Sequence, residues 1–155
     1  MLSRLKFVAY RYSLSLGTVQ RETYFHLVLT DYSLRYIGSC PVAEFLDELE
    51  PKMWAKVTRN IDVLSDHNLN LREPLVKSVE NGIFELRTQS GNNIARVFYF
   101  FFVGKKIILT NGFIKKTQKT PRKYIELALA YKADYIQRGE KNEMGRLQAE
   151  EVKES

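Results

Sequence analysis

The stretch GIFELRTQSGNNIARVFYFFFVGKKIILTNGFIKKTQKTP, residues 82–121, decides the fold. Gly82 marks a turn, and IFELRT (83–88) then alternates, with Phe84 and Leu86 on one face and Glu85 and Arg87 on the other. Ser90-Gly91-Asn92 has tight-turn composition, so Ile94–Val103 is expected to return antiparallel to the first strand. Its apolar run Val97–Val103 is too short to span a bilayer and is bounded by Arg96 and Lys105, so it reads as a buried strand. Gly104 makes a second turn, and Lys106–Ile114 completes a three-stranded meander. Tyr99 lies three residues after Arg96, so regular alternation assigns it to the opposite face and to the core.

Working outward, Thr120 and Pro121 form an N-cap and first helical residue for a helix over about Arg122–Arg138. Tyr124, Ala128, Tyr131 and Tyr135 recur along it at helical spacing. Gly139 closes the helix, and residues 140–155 are polar enough to predict a disordered tail. Upstream, Pro41 opens a helix whose face is Val42, Phe45, Leu46 and Leu49. Pro51 interrupts it before a second helix, about Lys52–His67, striped by Met53, Trp54, Val57, Ile61 and Leu64. Two helices so close in sequence predict an antiparallel pair lying on the sheet. Asp31–Ser39 reads as a polar connection, Tyr24–Leu29 as a strand, and residues 1–21 as an extension with a bulged strand. The expected class is α+β: two N-terminal helices on a twisted antiparallel sheet, with a C-terminal helix, in one domain over residues 1–139.

Charge is distributed unevenly over this framework. The chain of 155 residues carries a net +6, yet Leu86–Ile125 holds nine Lys/Arg and no Asp or Glu. That field attracts polyanions, and nucleic acid or an acidic protein leads the candidate partners. Cys40 is the lone cysteine, which fits a reducing cytoplasm, and with only His26 and His67 beside it a Cys/His structural zinc site is excluded. Neither a secretory leader nor a membrane span is expected.

Cations fixed on strands can do more than bind. Cleavage of RNA by a 2′-hydroxyl needs a group to take its proton, donors for the phosphorane, and a proton for the departing 5′-oxygen. Crowded lysines, whose neighbours disfavour the protonated form, can share proton transfer, and arginine suits charge stabilisation. Arg87, Arg96, Lys115 and Lys116 are the candidate catalytic residues. Arg96 is expected as a surface donor whose loss leaves the fold intact. Lys119, Lys105, Lys106, Arg122 and Lys123 are candidate RNA contacts. A solvated basic face that docks an acidic partner satisfies charge and spacing equally well.

The run Gly82–Arg87 (GIFELR), then Ala95–Tyr99 (ARVFY), then Gly112–Pro121 (GFIKKTQKTP) closely resembles the HigB-like branch of the RelE/ParE toxin superfamily, with similar flanks over roughly Tyr24–Gly139. The resemblance implies a RelE-like fold. It also implies a type II toxin acting as a metal-independent, cofactor-free mRNA interferase on the ribosome, neutralised by a helix-turn-helix antitoxin. Arg87, Arg96, Lys115 and Lys116 match the family's basic site positions, and Lys119 follows them. A gyrase poison of the ParE kind shares the fold and is the alternative activity. Histidines used by some HigB toxins have no counterpart in the basic window, which leaves proton transfer to lysine or to ribosomal RNA.

Overall fold

The computed structural model describes residues 27–30, 33–35, 41–102 and 106–137. The expected strand over residues 1–21, His26, the turn at Gly104 and the tail 140–155 lie outside the described residues. In chain order the elements are β1 (Leu27–Thr30), β2 (Ser33–Arg35), α1 (Pro41–Asp47), α2 (Pro51–His67) and a 3-10 turn (Asn68–Asn70). There follow β3 (Val76–Glu80), β4 (Ile83–Ser90), β5 (Asn93–Phe102), β6 (Lys106–Lys115) and α3 (122–137). The strands form one six-stranded sheet in the order β2-β1-β6-β5-β4-β3, with every neighbouring pair antiparallel.

The expected α+β class holds, and the meander β4-β5-β6 is the middle of a wider sheet. Two additions correct the sequence reading. The polar connection contains β2, and β3 forms an edge beyond β4. The signal for β3 was Asn81-Gly82: both residues have positive φ, 47° and 75°, as a two-residue hairpin turn of the primed kind demands.

Helices cover the two faces differently. α1 lies over β6 and α2 over β4 and β5, so both pack on the sheet instead of pairing mainly with each other. Their buried Val42, Leu46, Met53, Val57, Ile61 and Leu64 meet Leu86, Val97, Tyr99, Ile107 and Leu109. Tyr99, 1% exposed, is core as expected, and burial raises its hydroxyl above the usual tyrosine range. Gly112 lets α1 approach, since a Cβ there would collide with the Phe45 ring. On the other face α3 seals Ile83, Phe98, Phe100, Ile108 and Phe113 with Ile125 and Ala128.

A bulge in β6 is the feature that positions the site. Val97 pairs with Gly112 but Tyr99 pairs with Leu109, so one residue of β5 faces two of β6, Thr110 and Asn111. The Thr110 hydroxyl donates to Asn111 Oδ1 at 2.8 Å, and the Asn111 amide donates to Tyr124 O in α3 at 3.1 Å. Ile108 and Phe113 both face α3 although they are five residues apart, which an unbroken strand forbids.

Candidate functional site: a cationic groove beyond the start of helix α3

The face that α3 covers continues past the helix start into an open groove of about 340 Å³. Lys77 and Val79 of β3, Glu85 and Arg87 of β4, Lys115 of β6, and Gln118, Lys119 and Thr120 of the following loop line it. Period-two alternation along β4 puts Glu85 and Arg87 here, with Phe84 against the opposite core.

Arg87 and Arg96 are directly opposed on β4 and β5, an arrangement of like charges that is unfavourable by itself. Glu85 offsets it. The Arg87 Nε donates to Glu85 Oε1 at 3.0 Å, the Arg96 Nε lies 3.7 Å from the same oxygen, and the Thr120 hydroxyl donates to Oε2 at 3.3 Å. Glu85 is 3% exposed and is, among the described residues, the one buried acid. It sits one position before the acid-free window, so the positive field is not unopposed at its centre.

Arg96 is corrected from a surface donor to a buried one, 7% exposed beneath the groove. Its Nη1 donates to Ala95 O at 3.1 Å, while its Nε is buried without a hydrogen bond. Burial pushes the guanidinium below its usual value, with Glu85 opposing and Arg87 adding to the shift. Lys115 stands opposite Ile94, half-buried at the groove wall. Burial first, then Arg96, with Arg87 and Lys77 adding, lowers its ammonium from the ordinary lysine value against the opposing pull of Glu85.

The bulge selects between the two adjacent lysines. Continuing the alternation from Ile108 would bring Lys116 to this face, but the extra residue at Thr110-Asn111 reverses the phase and brings Lys115. Lys116 follows the strand, exposed, and is not among the residues lining the groove.

The other candidate cations are dispersed. Lys119 lines the groove on a loop turned by the Thr117 hydroxyl, which donates to Lys119 O at 2.8 Å. Arg122 is tied to Glu80 at 2.7 Å and Glu126 at 3.3 Å, and those hydrogen bonds raise its value above the usual. Lys123 lies over the Tyr124 ring, 4.9 Å from its centroid. The Lys106 backbone is at the far end of β6 from Lys115, and Lys105 lies outside the described residues. Thr120 is also reassigned: α3 starts at 122, and the hydroxyl expected to cap it is engaged with Glu85. Sequence reasoning missed Lys77, which pairs across from Glu85 on the unforeseen β3. A second cleft, about 200 Å³ on the opposite face, is lined by Glu48, Glu50, Leu49, Met53, Asn93 and Ile114 and carries no cation.

Residues 44–132, from α1 into α3, match the family described as phage-derived protein Gp49-like (DUF891). The chain belongs to this family. Gp49-like proteins are a RelE/HigB-like toxin family of toxin–antitoxin systems, and membership implies an antitoxin partner. No curated protein matches the chain. Among the described residues, no helix of this Gp49-like protein is long and apolar enough to cross a membrane.

Proposed function

We propose that this Gp49-like protein is a toxin that cleaves mRNA on the translating ribosome and is held in check by a helix-turn-helix antitoxin. The observation that carries the reading is the meeting of Arg87, Arg96 and Lys115 on one end of one sheet face, beside a groove open to solvent. In the reaction the 2′-oxygen attacks the adjacent phosphorus as its proton leaves. The P–O5′ bond breaks, the 5′-oxygen takes up a proton, and a 2′,3′-cyclic phosphate remains. Arg87 stabilises the phosphorane charge with a planar guanidinium that offers a bidentate pair of donors. Arg96 adds fixed positive charge from below. Lys115, with its proton loosened by burial and by neighbouring cations, is the side chain placed to take part in proton transfer. Lys77 and Lys119 hold flanking phosphates.

Primer extension on translating ribosomes tests this. New mRNA ends should appear on expression of the wild-type chain and vanish with Arg87→Ala. Intact mRNA with arrested growth and DNA-damage signalling would replace the reading with a gyrase poison. Intact mRNA with normal growth would replace it with a basic docking module.

A further inference from the structure

Burying Glu85 is hard to explain as a contribution either to stability or to affinity. A buried carboxylate in an ion pair commonly contributes no more than an apolar side chain of similar size. A negative charge in the groove also weakens attraction to a polyanion. What the carboxylate does supply is direction. Its Oε1 engages the Nε of Arg87 and faces that of Arg96, while Oε2 is held by the Thr120 hydroxyl. With Nε of Arg87 committed to the carboxylate, the two Nη groups of its fork are left to receive an anion. One side chain therefore joins β4, β5 and the loop carrying Lys119.

The geometry points to Glu85 as the positioning residue of this site, a carboxylate that aims the Arg87 guanidinium at the phosphate undergoing cleavage. This rests on the mRNA-cleavage reading for the reaction, but its orienting effect is measurable without any reaction. Glu85 is not assigned a proton-transfer step, because its oxygens are enclosed by Arg87, Arg96 and Thr120.

Glu85→Gln keeps the side chain's shape, removes its charge and leaves the groove more positive. A purely electrostatic role predicts RNA binding and cleavage that both improve. Positioning predicts a split: kcat for single-turnover cleavage of mRNA on translating ribosomes falls roughly 100-fold while KM stays within about threefold. It also predicts that, in the free 15N-labelled protein, the Arg87 Nε–Hε resonance moves to the position of an unpaired arginine and broadens. Wild-type kcat in Glu85→Gln overturns the inference, and so does a fall in kcat with the arginine resonance unchanged. If the wild-type chain cuts no mRNA, the cleavage reading fails on its own, and the resonance still decides whether Glu85 orients Arg87. Should Glu85→Gln not fold by circular dichroism, Thr120→Val takes its place. Freeing Oε2 should then lower kcat roughly tenfold and broaden the same resonance; wild-type behaviour on both counts refutes positioning.

Discussion

Two ends of one sheet face share the same three strands and behave in opposite ways. Under α3, Ile83, Phe98, Phe100 and Ile108 are wholly buried against Ile125 and Ala128. Further along β4 and β5 the same face carries Glu85, Arg87 and Arg96, and β6 adds Lys115. The boundary is the beginning of α3, where Tyr124 stacks on Phe113 with centroids 4.2 Å apart and accepts the Asn111 hydrogen bond. An apolar lid makes one end a core, and its absence makes the other a groove in which charges must satisfy one another. A packed core and a charged groove are thereby placed on separate stretches of common strands.

Substitutions on either side of the boundary should divide accordingly. The largest stability loss is expected under the lid, where Phe98→Ala should cost about 3–5 kcal/mol in urea unfolding; a loss under about 1 kcal/mol would mean that this end is not core. Across the boundary, Arg87→Ala should reduce mRNA cleavage about 10²–10³-fold with a much smaller stability loss than Phe98→Ala, because its side chain is 27% exposed and Glu85 keeps the Thr120 hydrogen bond and the 3.7 Å ion pair to Arg96. Arg96→Ala should fall between the two: burial makes it cost about 1–3 kcal/mol of stability as well as activity, and an unchanged melting curve would return Arg96 to the surface. At the boundary itself, Asn111→Ala should cost about 1–2 kcal/mol by freeing Tyr124 O, read out as faster amide exchange at the start of α3.

The smallest expected change has the opposite sign. Folding lowers the Lys115 value, so the unfolded chain holds that proton more tightly and stability rises with pH between the folded and unfolded values. Lys115→Met removes the crowded charge and should raise Tm at neutral pH by on the order of 2 °C, while lowering cleavage. The gain should shrink in alkaline buffer as the wild-type lysine discharges. A gain that grows with pH would contradict the crowding.

Much of the framework was legible because local rules are strong there. The alternation of IFELRT placed Glu85 and Arg87 together and Phe84 and Leu86 opposite. The helices began near the prolines that suit a first turn, with Met53, Val57, Ile61 and Leu64 buried as their spacing required. β3 escaped because its residues VKSVE are half polar, as befits an edge strand. Only its Asn81-Gly82 turn announced it. Alternation makes Glu85 a face-mate of Arg87, but its hold on Thr120 spans 35 residues of chain, beyond any local pattern.

Sequence by itself determined the α+β class, the three central strands and the concentration of cations on them, because periodicity and turn chemistry act over a few residues. Tertiary structure decided which cations meet. A one-residue bulge chose Lys115 over Lys116, strand pairing set Arg96 beside Arg87 and sank it beneath Glu85, and the ion pairs of Arg122 tied it to Glu80 and Glu126. Those outcomes depend on register and on the position of α3, and both are set by packing between segments far apart in the chain.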